Sequence, residues 1–489
     1  MIEDLLKRID GLLARVDELE RVVAMQTIII KQRDAEIVRL NRVIVDRDEV
    51  IHLQNEKIAK LEAKLNTNST NSSKPPSTDP PWTPPKKKGG KGKRKQGAQT
   101  GHAGMARELL PVEEVDVFVP CMPVTTCGCG GNVMVDTNPE RKQVFEIPEI
   151  QPLVTEFQIF GGCCEACRAK FRGSVPTGTP TGMLGPRALA TIAYLTGKFN
   201  LSKRDVEELF CDYFSLPISL GSVCNAEQVV SDALKSPYEE VVAAIKNEPV
   251  VHADETGHRI AGKRAWIWLA LSLTMAVFFA RASRSKKVAL EILGENFGGI
   301  LVSDRYPGYL WVQRRQFCWA HLCRDFQKLV DYGGQAAVFS NPILDYMTEM
   351  FTLWHKFKDG EITRVQLQEQ VKPICDEVEQ RLEAGKTVLL AEALCHNLCL
   401  KKSALWMFIH HAGVEPTNND AERTVRQYVI WRKTSFGTQG ERGNQFVERI
   451  LTAVGTCKRQ NRNVLEYLVE AVTARLNGIA APSLLPQVA

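Results

Sequence analysis

Residues 1–65 hold one heptad phase with no proline and no capping break, and no other pattern limits the chain's architecture as much. Fifteen of the nineteen a and d positions are apolar, and nine of the ten a positions, Ile2 through Ile58, are β-branched. β-Branched residues at a facing leucines at d favour two parallel strands. The polar d residues Gln26, Arg33, Arg47 and Gln54 cost stability but can fix register. One amphipathic helix lying on a globular core is the alternative, and so many uninterrupted heptads argue against it. The expectation is a parallel coiled-coil dimerisation helix over residues 1–65, and therefore a homodimer. The pattern carries no chemistry.

Past Leu65 the composition changes. NTNSTNSSKPPSTDPPWTPP is polar and proline-rich, and the stretch after it, up to residue 108, is basic and glycine-rich. Neither can bury enough apolar surface to fold alone, so residues 66–108 read as a disordered linker. The net charge is only +5, yet Lys86, Lys87, Lys88, Lys91, Lys93, Arg94 and Lys95 put seven cations in one short stretch without an acid. Such an arm suits a polyanion, and contact with nucleic-acid phosphates predicts salt-dependent DNA affinity. The chain's 489 residues, 44% hydrophobic and 24% charged, suffice for a large core and about three structural units. Wholesale disorder and a small disulfide scaffold are excluded. No secretory leader is legible, and the longest uncharged run, Ala265–Ala280, is short for a bilayer span. A cytoplasmic, nucleoid-associated protein without membrane contact is expected.

Of the 14 cysteines, six fall between Cys121 and Cys167. Without a secretory signal, such clustering favours metal over disulfides. Cys127-Gly-Cys129-Gly-Gly and Cys163-Cys164-Glu-Ala-Cys167 offer two thiol pairs, as a tetrahedral structural Zn²⁺ site requires. Cys127, Cys129, Cys164 and Cys167 are the predicted ligands, in a small zinc-binding β module over residues 109–175 with strand-like runs between the cysteines. The C-x-x-C pair is the stronger signal. The C-x-C pair is tighter than the usual knuckle, so Cys121 or Cys163 could substitute, and free thiols are the plain alternative. Residues 176–245 read as a helical module: a helix around Pro186–Phe199, a second capped by Ser202, a third starting at Ser219 or Ser222. These are helix-turn-helix proportions for DNA binding, although most short helical hairpins bind nothing.

Within residues 246–475, EPVVHADETG, KRAWIWLALSL and MAVFFARAS read as three consecutive strands. SKKVALEILG is a helix, GGILVSDRYPGY a fourth strand ending in a turn, and RRQFCWA a short fifth strand. That order opens an RNase H-like α/β sheet, in which the first and fourth strands are neighbours and the carboxylates of Asp254 and Asp304 converge. Glu422, on a helix beginning near Asn419, is the predicted third acid, with Asp420 and Glu255 as competitors. Such a cluster holds two Mg²⁺ (or Mn²⁺) ions for phosphoryl transfer. An Asp at a strand end is equally a turn former, and a Glu after Asn-Asp equally a helix N-terminal charge. A helical insertion at about 325–412 precedes the last acid, and residues 476–489 form a C-terminal tail. The expected fold class is therefore multidomain α+β.

These residues carry a resemblance. NSSKPPSTD, GAQTGHAG, the CGCGG and CCEAC pair, HADET, SDRYPGY, CWAHLCRDF, NNDAERTVR and SFGTQGERG follow in the order of the insertion sequence 66 family of DDE transposases. The chain resembles that family over nearly its whole length. The resemblance implies the D-D-E roles for Asp254, Asp304 and Glu422, a helical insertion before the last acid, and small accessory proteins encoded alongside. It also implies a C-x-x-H beside the fifth strand, here Cys318-Trp-Ala-His321; His321 then orients a metal-bound water or contacts a scissile phosphate, or the pair simply holds the strand end. Arg426 and Lys433 share a helix face with Glu422 and are expected to contact phosphates. The implied function is a transposase that binds element ends in double-stranded DNA, cleaves a phosphodiester with metal-activated water and joins the 3′-hydroxyl to target DNA. A catalytically inactive DNA-binding regulator or accessory protein, and an RNase H-like nuclease without strand transfer, are the competing readings.

Overall fold

The structure, a computed structural model, describes residues 2–68, 79, 107–136 and 138–486. In chain order the helices and strands are α1 (Ile2–Leu65), β1 (Gly161–Cys163), β2 (Lys170–Arg172), α2 (Pro186–Lys198), α3 (Lys203–Phe214), α4 (Leu220–Ala233) and α5 (Lys235–Ala244). There follow β3 (Val250–Ile260), β4 (Lys263–Leu271), β5 (Ala276–Arg281), α6 (Lys286–Leu293), β6 (Ile300–Ser303) and β7 (Arg315–Phe317). The chain then continues as α7 (Trp319–Tyr332), α8 (Gly334–Lys358), α9 (Arg364–Ala384), α10 (Glu392–Cys399), α11 (Ser403–His410), α12 (Asn419–Ser435), α13 (Glu441–Arg459) and α14 (Val464–Leu476). Two compact units emerge: Met1–Thr83 with Pro180–Asn200 and Ala226–Ala489, and Pro84–Thr179 with Leu201–Asn225.

In the first unit, a five-stranded sheet has the order β5-β4-β3-β6-β7. The strands β3, β4 and β5 form an antiparallel meander, and β6 and β7 join in parallel. The aliphatic and aromatic runs of β4 from Ala265 and of β5 are almost wholly buried, as expected of strands covered on both faces. An edge strand leaves backbone N–H groups open, and α13 closes this edge from its side chains. Ala276, Phe278 and Ala280 donate their N–H groups to Thr456 Oγ1 (3.1 Å), Thr452 Oγ1 (3.0 Å) and Glu448 Oε1 (2.6 Å). The helical spacing of four thus matches the two-residue repeat of the strand.

At the other edge, the helices from α7 to α11 share one hydrophobic core with β6 and β7. The buried positions of α7, Trp319, Leu322, Phe326 and Leu329, recur at helical spacing and give it one apolar face. Gln316 of β7 donates to Leu405 O and accepts from Phe408 N, and Trp319 Nε1 donates to Leu405 O at 2.8 Å. The predominantly helical stretch expected between the fifth strand and the last acid is therefore built into the sheet's own core.

α1 is continuous, as its heptads require, and its a and d side chains are exposed along the single chain. In the second unit, Ser202 caps α3 with a full capping box through Asp205. Of the two serines offered for the next helix, Ser219 is the cap, accepting from Ser222 N at 3.2 Å. Of the strand-like runs expected through residues 109–175, those before residue 161 form no sheet. Among the described residues there, only a Thr126↔Asn132 bridge pairs, and Val117, Val144, Leu153 and Val154 are exposed. Alternating apolar residues extend the chain, but a strand also needs a neighbour to take its hydrogen bonds. β1 and β2, three residues each, are the exception, paired antiparallel from Gly161↔Arg172 to Cys163↔Lys170.

Candidate active site

The parallel ladder between β3 and β6 runs Val250↔Ile300, Val251↔Leu301, His252↔Val302. Carried two residues further, that register sets Asp304 opposite Asp254. Side chains alternate faces along a strand, so His252 and Asp254 share one face of β3 and Glu255 turns to the other.

α12 lies on the Asp254 face, held by Asn418, the residue just before it. Asn418 is buried; its Nδ2 donates to Ala253 O (2.8 Å), its Oδ1 accepts from His252 Nδ1 (3.1 Å), and its N–H reaches Cys318 Sγ (3.1 Å). This clasp brings Glu422, one turn into α12, toward the two aspartates. Burial first, and then the carboxylates of Glu255, Asp304 and Glu422, push Asp254 up to about 8. Its Oδ1 accepts from Glu255 N (2.9 Å), and Asp304 Oδ1 accepts from Tyr306 N (2.9 Å).

The competing acids are committed elsewhere. Both oxygens of Glu255 are taken: Oε1 by the Arg284 guanidinium, Oε2 by Tyr309 Oη at 3.0 Å. Asp420 is paired with Arg459 at 2.9 Å and Arg423 at 3.6 Å. Burial opposes its ionisation, but Arg459 prevails and holds it below the usual value. Glu422 Oε1 is buried without a hydrogen-bond partner, as is His321 Nδ1, 3.5 Å away, and the Arg324 guanidinium stands 3.9 Å from the same oxygen. Burial, and then Arg324, depress His321, leaving a neutral imidazole. Cys318, His321 and Glu422 are the one set of three or more metal-ligating groups among the described residues whose ligand atoms lie within 4.8 Å of one another. Asp254, Asp304 and Glu422 therefore do not close as tightly as a single-ion cage. Carboxylates spanning two ions roughly 3.5–4 Å apart need not do so.

Arg426 and Lys433 are exposed on α12. Lys433 lines a cavity of 630 Å³ with Arg259, Arg264, Arg432 and Phe436. A second basic cavity, of 490 Å³, is bordered by Lys198, Arg423, Lys458 and Arg459. Sequence reasoning missed this cavity, together with the Asn418 clasp and the Arg284–Tyr309 clamp on Glu255. An asparagine before a helix reads as a cap, and nothing local shows that it bonds to a strand more than 160 residues away. The seven cations of the basic arm, Lys86 through Lys95, lie outside the described residues.

Each cysteine pair forms a tight turn. Gly130 N donates to Cys127 O (2.9 Å) and Cys127 N to Gly131 O (2.8 Å), with Gly130 at φ 85°. Arg168 N donates to Cys164 O (2.9 Å) and Cys164 N to Ala169 O (2.8 Å). The backbone at Gly131 and then the Cys127 thiol hold Cys129 below the ordinary thiol value; the backbone and then the thiol of Cys167 do so for Cys164. The two pairs do not gather into a common group of three.

Residues 181–445, more than half of the chain, match the family described as Transposase IS66 family. The chain belongs to this family, whose members are DNA-processing transposases, and membership implies DNA binding. Residues 25–108 match a second family, described as Family of unknown function (DUF6444). Among curated relatives, "Uncharacterized protein y4hP" of Sinorhizobium fredii is 23% identical over 400 residues, 72% of this chain and 71% of that protein. "Uncharacterized protein y4qI" of the same organism is 26% identical over 274 residues, 49% of this chain and half of that protein. Among the described residues, no helix is long and apolar enough to cross a membrane.

Proposed function

We propose that this chain is a DNA transposase whose Asp254, Asp304 and Glu422 hold Mg²⁺ or Mn²⁺ ions in an RNase H-like catalytic domain. One observation carries the reading. Three acids from β3, the end of β6 and α12 share a site in which Asp254 has no cationic partner, while Glu255 and Asp420 are each matched to arginine. Burial of a carboxylate, with repulsion from its acidic neighbours added, is what a divalent cation relieves, and an all-carboxylate set suits Mg²⁺. The bound ions supply Lewis-acid stabilisation of the attacking and leaving oxygens of an in-line displacement.

The chain's own residues do the positioning. Asn418 fixes the height of Glu422 over β3, and the N–H groups of Glu255 and Tyr306 orient the two aspartates. Water attack frees a 3′-hydroxyl at the element end, and the same site then joins that hydroxyl to target DNA, with no covalent protein intermediate. The basic arm, the helix pair α3–α4, Arg426 and the Lys433 cavity supply phosphate contacts. The two thiol turns supply Cys127, Cys129, Cys164 and Cys167 to a structural Zn²⁺. The exposed heptad seam of α1 pairs two copies. Acting on DNA, the protein works at the nucleoid, alone or with accessory proteins.

Metal-dependent cleavage and strand transfer on element-end DNA test the reading. Asp254→Asn, Asp304→Asn and Glu422→Gln should each reduce both reactions to background while end binding persists. A Glu422→Gln variant that stays active while Asp420→Asn loses activity would reassign the third acid. Cleavage without joining would make the protein a nuclease, and end binding without cleavage a regulator.

A further inference from the structure

Cys318, His321 and Glu422 bring a sulfur, an imidazole nitrogen and a carboxylate oxygen within 4.8 Å of one another. They come from two elements: Cys318 is the N-cap of α7, His321 lies in the first turn of α7, and Glu422 lies one turn into α12. Two of its three ligand atoms lack a hydrogen bond, although the Arg324 guanidinium lies 3.9 Å from Glu422 Oε1. His321 Nδ1 and Glu422 Oε1 are buried, lie 3.5 Å apart, and neither makes a hydrogen bond. Two facing buried polar atoms without hydrogen bonds are costly, and a shared ligand removes that cost for both. The sulfur lies within the same group and receives the Asn418 N–H at 3.1 Å, which holds it in place between α7 and α12.

We infer that Cys318, His321 and Glu422 form a site for a thiophilic divalent cation of the zinc class, distinct from the proposed magnesium positions and sharing Glu422 with them. The donor set decides the class. One sulfur, one nitrogen and one oxygen with an open fourth position match zinc-type coordination, whereas Mg²⁺ takes oxygen ligands in octahedral geometry. The consequence for Glu422 rests on the proposed function: one oxygen is held between α7 and α12, leaving the other for the ion shared with Asp254 and Asp304. Binding itself does not depend on that reading.

Cobalt(II) is the probe, because a thiolate ligand gives an intense sulfur-to-metal absorption band. The full-length chain, stripped of metal and reduced, is titrated with Co²⁺ beside Cys318→Ser, His321→Ala and Asp254→Asn, with circular dichroism to verify folding. Cys318→Ser and His321→Ala should each bind about one fewer Co²⁺ per chain than the parent, or bind that ion roughly 10-fold or more weakly. The four thiols of Cys127, Cys129, Cys164 and Cys167 contribute equally to all of these chains and cancel in the difference. Asp254→Asn should keep the parent's sulfur-to-metal band, because any Co²⁺ it loses is held by oxygen ligands and gives no such band. Identical cobalt stoichiometry, affinity and band intensity in the parent and in folded Cys318→Ser and His321→Ala would overturn the site. That failure would leave the magnesium reading standing, whereas cleavage by Asp254→Asn would remove the magnesium reading without altering the Cys318-dependent band.

Discussion

Phe408 and Leu153 are both large apolar side chains in a mixed sequence context, yet Phe408 is 0% exposed and Leu153 is 96% exposed. The contrast runs through the molecule. In the sheet and the helices from α7 to α14, apolar periodicity is satisfied inside the chain. Along α1 and through residues 115–160 the same kind of periodicity faces outward. Pattern fixes which face of an element is apolar, but not whether the partner for that face lies in the same chain. Where it does not, the face stays open along the single chain, as it does on α1.

The largest expected effect breaks the comparison at α1. Deleting residues 1–65 should abolish self-association and the pairing of two element ends, while single-end binding per protomer and the melting of the sheet region stay close to those of the parent. Sedimentation and two-end bridging assays give the readout. A deletion that remains dimeric and still bridges ends would show that the catalytic region supplies its own interface, and the open seam of α1 would need another occupant.

A smaller effect sharpens the contrast. Phe408→Ala should destabilise the sheet region by about 3–5 kcal/mol, because the ring fills a core shared by β7, α8 and α11 and its loss leaves a cavity. Leu153→Ala should change global stability by no more than about 0.5 kcal/mol. Denaturant midpoints at constant slope measure both. A Leu153 effect of the Phe408 size would mean that residues 115–160 pack on a partner in solution and belong with the buried region after all.

The sequence was readable where one local rule governs. The five strands follow from short apolar runs bounded by turns, and the fifty-residue spacing of Asp254 and Asp304 survives into the β3–β6 register. Ser202 and Asp205 are a cap that two residues suffice to specify. What was illegible depends on distant chain segments. The assignment of Glu255 to Arg284 and Tyr309, and of Asp420 to Arg459, needs three-dimensional neighbours, so spacing alone left both acids in competition with Asp254 and Glu422. The strands expected between the cysteines failed for the related reason that a ladder requires a second strand, which alternation cannot certify.

The smallest effect concerns a place where the buried region is itself imperfectly matched, in charge instead of apolar area. Lys198 donates to Gln427 Oε1 at 2.6 Å beside Lys458, and burial, then Lys458, bring its amine down to about 8 from an ordinary 10.5. Arg423 and Arg459 border the same cavity, with Asp420 committed to both of them. Between pH 8 and 10.5 the unfolded chain holds the proton that the folded chain has released, so stability rises with pH across that window and the penalty is fully present below it. Lys458→Gln removes the like charge but not the burial. It should raise stability at pH 7 by a few tenths of a kcal/mol, the size solvent screening allows at a half-exposed site, and flatten the pH slope between 8 and 10.5. Unfolding midpoints of parent and variant at pH 7 and pH 10 provide the check, and parallel pH profiles would show that Lys198 and Lys458 do not interact. A phosphate seated in the cavity has the opposite charge to Lys458 and raises the Lys198 amine, so DNA binding should take up a proton near pH 8.5 in the parent and less in Lys458→Gln. In that event the charge mismatch in the folded region, like the open seam of α1, is a vacancy for a partner from outside the chain.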